Sequence, residues 1–193
     1  MSKYQVIALC GKSASGKDSI QKATVQANPD KFNSIISCTT RPMRDNEQNK
    51  IDYYFLTLEE FTVKVLNGEM LEATEFNNWF YGTPIKALKK DKINIGVFNP
   101  AGIEALLDDP RLEVTVVLVG ASDKTRLMRA LNRENEPNCS EICRRYFADE
   151  EDFLKADFMP DYAVRNENGD GQDLSQRLPQ LIEKIEQRLV NFD

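Results

Sequence analysis

The residues that follow the first apolar run have the spacing of a phosphate-binding loop. Glycine allows close backbone approach to an anion, N–H groups at a helix start bind phosphate oxygens, and lysine adds a compact positive charge. The loop therefore predicts a site for a nucleoside triphosphate such as ATP. Its predicted binding residues are Gly11, Lys12, Ser13, Ala14, Ser15, Gly16, Lys17, Asp18 and Ser19.

The position directly after Lys17 departs from the usual pattern, which has a hydroxyl there to face Mg²⁺. Asp18 occupies it, and Ser19 comes one residue later. As the second residue of the predicted helix, Asp18 is expected to point away from the phosphates and to interact favourably with the helix start. Ser19 is then the predicted hydroxyl on the metal side, acting on Mg²⁺ through water or the nucleotide phosphates.

A second group of charged residues comes after the first helix. The stretch Ser37-Cys-Thr-Thr-Arg-Pro-Met-Arg44 puts two arginines three residues apart beside hydroxyl groups, and Glu47 follows. Arg41 and Arg44 could bind a second anion, with Glu47 available for a hydrogen-bond donor or a neutralising pair. The alternative is that these residues form a solvent-exposed charged loop without a ligand.

Composition narrows the classes of function. The chain has 193 residues, a formal net charge of -6 and no histidine, so catalysis must use carboxylates, lysine, arginine or bound metal. The negative charge argues against a nucleic-acid surface, and no apolar run reaches the roughly 18 residues that a membrane helix needs. We expect a cytoplasmic protein without a membrane or nucleic-acid partner.

Strand-like runs alternate with helical segments along most of the chain. Short β-branched runs at 4–10, 93–98 and 113–120 predict buried parallel strands. Helices are predicted from Lys17 to Ala27, from a cap at Ser122 to about 133, and from a cap at Ser140 to about 155. A further helical repeat of apolar residues runs from Leu174 to Leu189. This alternation predicts an α/β fold with a mainly parallel sheet flanked by helices.

Residues 34–84 do not follow this alternation of strands and helices. They predict a small inserted α+β subregion. Thr57-Leu-Glu-Glu60 is a capping box for a short helix ending at Gly68. Short strands are predicted around it at 34–40, 51–55 and 69–80.

Together these motifs resemble the guanylate kinase family. The family has a phosphate loop near its start, then S-x-T-T-R-x-x-R-x-x-E, D-Y-x-F, and a glutamate ahead of an aromatic-Y-G-[ST] turn. The matching residues here are Ser37, Thr39, Thr40, Arg41, Arg44, Glu47, Asp52, Tyr53, Phe55, Glu72, Phe80, Tyr81, Gly82 and Thr83. The resemblance implies a P-loop NTPase-like core and phosphoryl transfer from ATP, with Mg²⁺, to GMP or dGMP.

The resemblance also implies roles for particular residues. Arg41, Arg44, Tyr53 and Tyr81 would hold the monophosphate, Ser37, Glu72 and Thr83 would face the guanine, and Glu47 would complete the GMP site. A helical lid at 126–150 would carry Arg133 and Arg145, with Arg144 as the alternative to Arg145. Asn166 would lie near the adenine of ATP. The implied catalytic residues are Lys17, Arg41, Arg133 and Arg145.

One domain over residues 1–193 is implied, with its core at about 1–33, 85–125 and 151–193. The chain departs from the family where Val97 and Asn99 replace a D-x-D pair near guanine and metal, and where Lys50 replaces a glycine. Two alternatives follow: a related nucleoside or deoxynucleoside monophosphate kinase with altered base preference, and a non-catalytic guanylate-kinase-like module that binds a protein partner.

Overall fold

The computed structural model of the protein describes residues 3–44, 47–76, 78–133, 135–167 and 183. Its strands are β1 (Tyr4–Cys10), β2 (Phe32–Ser34), β3 (Cys38–Thr39), β4 (Tyr54–Phe55), β5 (Met70–Phe76), β6 (Trp79–Pro84), β7 (Ile93–Val97), β8 (Leu112–Gly120) and β9 (Tyr162–Arg165). Its helices are α1 (Lys17–Ala27), α2 (Leu58–Leu66), α3 (Pro100–Leu107), α4 (Asp123–Leu131) and α5 (Cys139–Lys155).

The larger sheet is parallel and has β1 at its centre. Its strand order is β2-β7-β1-β8-β9, and each neighbouring pair is parallel. Val6 to Cys10 are all buried, as expected of a strand covered by helices on both faces. The predicted α/β fold is confirmed, and the runs predicted at 4–10, 93–98 and 113–120 are β1, β7 and β8.

The hydrophobic core has two parts because successive residues of β1 point to opposite faces of the sheet. Ile7 and Leu9 pack with Ile20 of α1 on one face. Val6 and Ala8 pack on the other face, in a cluster that contains Ile103 and Leu106 of α3. The helices that begin near the carboxyl edge of the sheet are thereby fixed to it.

The helix boundaries follow local capping chemistry. α1 covers the residues predicted for it, and Ser122 caps α4 by accepting from the N–H of Thr125. The predicted cap of α5 at Ser140 is wrong, because α5 begins at Cys139 and Asn138 accepts from the N–H of Glu141 over 3.0 Å. Asparagine caps as well as serine, so the earlier residue starts the helix.

A smaller sheet with strand order β4-β3-β6-β5 lies within the segment predicted as α+β. The capping box of α2 is confirmed, but α2 ends at Leu66, short of Gly68. The single strand predicted at 34–40 is wrong. β2 belongs to the larger sheet and β3 to the smaller one, so the chain crosses between the sheets there. The run predicted at 69–80 is the antiparallel hairpin of β5 and β6.

Within the described part of the chain, no helix has the length and apolar character needed to cross a membrane. The apolar repeat predicted from Leu174 to Leu189 lies outside the described residues, apart from position 183. The assignment of residues 1–193 to one domain, with the core, subregion and lid bounds given above, stays a prediction.

Candidate active site

The phosphate-binding loop lies at the carboxyl end of the central strand. Gly11 has a φ of 149° and Gly16 a φ of 98°, in the region that glycine favours. A Cβ on Gly11 would lie 2.2 Å from the carbonyl oxygen of Val119, and one on Gly16 would lie 2.2 Å from Nδ2 of Asn166. Both positions are closed to a side chain unless a neighbour moves. The loop then enters α1 at Lys17, so its N–H groups lie at the positive end of that helix.

Lys17 lies at the start of α1 and lines the central cleft of the molecule. Its ammonium group donates to the carbonyl oxygen of Lys12 over 3.2 Å. Burial lowers the pKa of Lys17, and the negative charges of Asp18 and Asp149 oppose that shift. A phosphate placed in the cleft would further favour the charged ammonium.

The two residues after Lys17 differ in the spaces that they border. Asp18 lines the central cleft together with Arg41 and Tyr53, and it also lines a neighbouring cavity beside α1. Ser19 lines the neighbouring cavity and is not among the residues that line the cleft. The direction of the Asp18 carboxylate relative to a bound phosphate stays a prediction.

Ser13 of the loop is fixed by α4 and α5. Asp149, which is 1% exposed, accepts from the N–H of Ser13 over 2.6 Å and from its hydroxyl over 3.1 Å. Arg126 donates to the Ser13 carbonyl over 3.1 Å and to Asp149 over 3.1 Å. Lys12 forms an ion pair with Glu150. Sequence reasoning missed Asp149, because an acidic residue in an acidic helical run carries no signal of this contact.

The other side of the loop is supported by Asn166, which directly follows β9, and by Arg129 of α4. Nδ2 of Asn166 donates to the carbonyl oxygen of Ser15 over 2.8 Å, and Arg129 donates to the same oxygen over 3.2 Å. The N–H of Asn166 donates to the Gly120 carbonyl over 2.7 Å. Asn166 thus contacts the phosphate loop directly, while its contact with an adenine stays a prediction.

Glu47 organises the two arginines of the second cluster. Its carboxylate accepts two hydrogen bonds from the guanidinium of Arg41, over 3.0 and 2.8 Å, and one from the N–H of Arg44 over 2.9 Å. Burial raises the pKa of Glu47, but the hydrogen bonds from Arg41 and Arg44 outweigh it and lower the pKa overall. Arg41 is 5% exposed and lies over the rings of Tyr53 and Phe55. The guanidinium group of Arg41 is therefore held in one orientation.

Three other arginines place positive charge near Arg44. Burial, and then the charges of Arg41, Arg145 and Arg133, lower the pKa of Arg44 to about 10. Like charges held this closely disfavour one another in the absence of an anion. The cluster has the electrostatics of a phosphate site.

Two tyrosines complete this wall of the cleft. The rings of Tyr53 and Tyr81 meet edge to face with their centroids 6.1 Å apart, and burial raises the pKa of Tyr53, so its hydroxyl stays a donor. Lys50 has a φ of 69° and donates its N–H to the Tyr53 carbonyl over 2.7 Å. A residue with a side chain in this left-handed conformation costs roughly 1 kcal/mol relative to glycine.

A polar pocket lies deeper in the smaller sheet. The hydroxyls of Ser37 and Thr83 are 3.1 Å apart, and both residues are buried with Glu72. Burial raises the pKa of Glu72 to about 7, against the opposing hydrogen bonds from Thr83. A carboxylate and hydroxyls can complement a base edge that offers two N–H donors and a carbonyl acceptor.

Asn99 borders this pocket with both of its polar groups engaged. Its Oδ1 accepts from the Gly102 N–H over 2.7 Å and so caps α3, while Nδ2 donates to the Thr74 hydroxyl over 2.8 Å. Val97 also lines the cleft and has no polar side-chain atom to offer. Asn99 therefore has a structural role here that sequence reasoning did not predict.

The arginines predicted for the lid differ in position. Arg133, which follows α4, and Arg145 of α5 both line the central cleft. Arg144 forms hydrogen bonds with Glu141 and lies over the ring of Trp79. Of the two neighbouring arginines, Arg145 is the one that faces the cleft.

Most of the sequence-predicted site residues line one cleft, although they come from four separated segments. Lys12, Ser15, Gly16, Ser19 and Asn166 are not among the residues that line it. Glu47 and Thr83 lie behind it, against residues that line it. The predicted residues that line the cleft are Gly11, Ser13, Ala14, Lys17, Asp18, Ser37, Arg41, Arg44, Tyr53, Glu72, Tyr81, Arg133 and Arg145.

This combination defines the class of the protein: a P-loop α/β protein in which a cluster of arginines shares one cleft with the phosphate loop. Within that class the family can be named. The model of the family described as guanylate kinase matches residues 3–185, and the chain belongs to that family.

Individual relatives match over part of their length. A guanylate kinase from Helicobacter hepaticus is 39% identical over 97 residues, which are 48% of this chain and 48% of the relative. One from Enterococcus faecalis is 41% identical over 80 residues, 42% of this chain and 39% of the relative. In these alignments the chain spans about half, or less, of the length of the relatives it matches.

A solved structure supports the fold over nearly the whole chain. The guanylate kinase from Anaplasma phagocytophilum aligns with a TM-score of 0.67 and 21% identity, covering 97% of this chain and 87% of that one. At this identity the likeness bears on the fold alone.

Proposed function

We propose that the protein transfers the terminal phosphoryl group of ATP directly to GMP or dGMP, giving ADP and GDP or dGDP. The observation that carries this is the single cleft in which the phosphate loop faces the arginine cluster and the polar pocket around Glu72. Membership of the guanylate kinase family supports the same reaction.

The donor would lie along the phosphate loop, from Gly11 to Ser19, with Lys17 on the terminal phosphates and Asn166 at the adenine side. The monophosphate would lie between Arg41, Arg44, Tyr53 and Tyr81. Its guanine would meet Glu72, with Ser37 and Thr83 beside that carboxylate. Glu47 acts on this site by orienting Arg41 and Arg44.

Phosphoryl transfer depends on positioning and on positive charge more than on an acid or base, so a chain without histidine can perform it. Lys17, Arg41, Arg133 and Arg145 carry the charges that would face the transferring group. An arginine in that position contributes about 10³ to 10⁵ in rate. Closure of the lid would keep water from accepting the phosphoryl group.

The residues next to Lys17 fit a Mg²⁺ ion held mainly by nucleotide phosphates and water. Asp18 and Ser19 offer the hard oxygen atoms that Mg²⁺ prefers, and the described residues contain no cluster of three or more acidic, cysteine or histidine groups for an all-protein cage. Bound there, the ion would supply positive charge against the phosphates during transfer. Asp18, which lines the cleft, and Ser19 are the candidates to orient it.

A panel of monophosphates tests the proposal. With Mg²⁺ and ATP present, GMP or dGMP should be phosphorylated well ahead of AMP, CMP and UMP. Comparable turnover of a base that lacks the N–H donors of guanine would instead indicate altered base preference, and no turnover by folded protein would exclude a kinase.

Lys17→Ala should abolish turnover while the fold is retained by circular dichroism. Lys155→Ala is the matched control, because Lys155 is exposed and pairs with Glu151 at the far end of α5. A non-catalytic binding module would respond equally little to both changes.

A further inference from the structure

Trp79, the single tryptophan of the chain, joins the smaller sheet to the lid. The guanidinium carbons of Arg144 and Arg145 lie 5.6 and 5.3 Å from the centroid of its ring. Both distances are within the about 6 Å at which a cation is attracted to an aromatic face. Trp79 begins β6 opposite Phe76 of β5, whereas the arginines belong to α5, so the contact bridges the cleft.

Glu141 holds the same two arginines from within α5. Its carboxylate accepts from Nε and Nη2 of Arg144 over 2.7 and 2.9 Å, and from Nε of Arg145 over 2.6 Å. The hydrogen bonds from Arg144, and then those from Arg145, lower the pKa of Glu141 to about 2. The arginines are thus oriented by a carboxylate one helical turn away and by an aromatic face across the cleft.

Arg145 lies among other positive charges, and its contact with Trp79 has to hold it there. Arg145 lines the cleft with Arg133, Arg41 and Arg44, and the charge of Arg145 contributes to the lowered pKa of Arg44. These like charges oppose closure of the lid until phosphate arrives. An aromatic face attracts a cation without adding a negative charge that would compete with phosphate for it.

We propose that Trp79 is a positioning residue, which holds Arg145 over the cleft so that the lid is set for phosphoryl transfer. The inference rests on the proposed function. Trp79 is not among the residues that line the cleft, so it acts through Arg145 rather than through a nucleotide. Sequence reasoning passed over Trp79, because neither its type nor its spacing points to a partner on α5.

Kinetics of Trp79 variants test the proposal. Trp79→Leu removes the ring face and should lower kcat about ten-fold, or about 1.4 kcal/mol in barrier, with a change below about two-fold in KM for GMP. Trp79→Phe keeps a ring face and should recover most of kcat. Phe147→Leu, which removes a 70% exposed ring from the lid helix, should leave kcat unchanged. An unaltered kcat in Trp79→Leu overturns the proposal.

A double mutant shows whether the effect passes through Arg145. If Trp79 acts by placing that guanidinium, Trp79→Leu combined with Arg145→Gln should be no slower than Arg145→Gln alone. Losses that multiply would mean that Trp79 acts by another route, and would overturn the proposal.

Fluorescence tests the contact independently of turnover. Trp79 is the only source of tryptophan emission, so Arg145→Gln should alter the emission spectrum of the nucleotide-free protein. Arg111→Gln, at a surface arginine paired with Asp109, should not alter it. If Arg145→Gln leaves the emission unchanged, the inference about Trp79 is overturned, even if the protein phosphorylates GMP. If the emission changes but the protein does not phosphorylate GMP, the result counts against the proposed function alone.

Discussion

At the scale of single residues, burial decides what Glu72 can do. The residue is 8% exposed, and this burial raises the pKa of its carboxyl to about 7 against the hydrogen bonds from Thr83. Only the ionised carboxylate can accept from both N–H groups of a guanine edge, because the protonated acid has a donor of its own. Base recognition by Glu72 should therefore depend on pH near neutrality.

We expect kcat/KM for GMP to rise between about pH 6 and about pH 8, following the ionisation of Glu72. Glu72→Gln should lower kcat/KM and flatten this profile, because its amide does not ionise. Glu75→Gln, at an exposed position of the same strand, should keep the wild-type profile. Steady-state kinetics across the pH range measures this, and a rise of unchanged size in Glu72→Gln would contradict the assignment.

The same residue links pH to stability. Its pKa in the folded protein is raised above the ordinary 4.5 to about 7. The stability linked to its protonation is therefore fully present below pH 4.5 and is lost as pH rises through 7. At about pH 8, Glu72→Gln should raise the unfolding free energy of the ligand-free protein by roughly 1 to 3 kcal/mol. Urea unfolding at two pH values measures the difference.

At the scale of elements, α5 both contacts the phosphate loop and lines the cleft. Asp149 fixes Ser13 of the loop and pairs with Arg126 of α4, while Arg145, about one turn earlier, lines the cleft. Residues four apart lie on the same side of a helix, which places both side chains towards the nucleotide site. A movement of α5 would therefore also shift Ser13 of the phosphate loop.

Asp149→Ala should destabilise the protein by about 3 kcal/mol, because it removes the buried carboxylate that pairs with Nη2 of Arg126 and frees the Ser13 N–H, while Nη1 keeps its pairs with Asp123 and Glu150. Urea unfolding followed by circular dichroism measures the loss. Glu151→Ala is the control on the same helix, since Glu151 forms an exposed pair with Lys155 and such pairs add little stability. Equal effects of the two substitutions would show that Asp149 does not anchor the loop.

At the scale of the whole molecule, the cleft is assembled from three regions that carry like charge. Arg41 and Arg44 come from beside the smaller sheet, Arg133 and Arg145 from the segment predicted as the lid, and Lys17 from the start of α1. Their mutual repulsion favours separation of these regions, and bound phosphates would reverse it.

We therefore expect the protein to become more compact when GMP and a non-hydrolysable ATP analogue are both bound. Small-angle X-ray scattering should show a smaller radius of gyration than in the nucleotide-free protein, because the phosphates neutralise the arginines that face one another. Adenosine and guanosine, which lack phosphate, serve as the control. Equal compactness with and without both nucleotides would argue against closure.

The sequence predicted the fold well where local signals agree. β1 has an uninterrupted apolar core, and the glycines and Lys17 follow it at the expected spacing, so strand, loop and α1 were all predicted correctly. The prediction failed where tertiary pairing decides the outcome. β2 and β3 looked like one strand, but their backbones pair in different sheets. The cap of α5 was misplaced because two good capping residues lie close together.

The sequence by itself determined the family, the phosphate loop and most of the charged residues that line the cleft, because these rest on residue types at fixed spacing. Tertiary structure alone decided how those residues are used. It buried Glu72, which raises its pKa to about 7, engaged both polar groups of Asn99, and brought Trp79 against Arg145. The orientation, burial and long-range contacts of a side chain depend on how separated segments of the chain pack. No local sequence pattern predicts them.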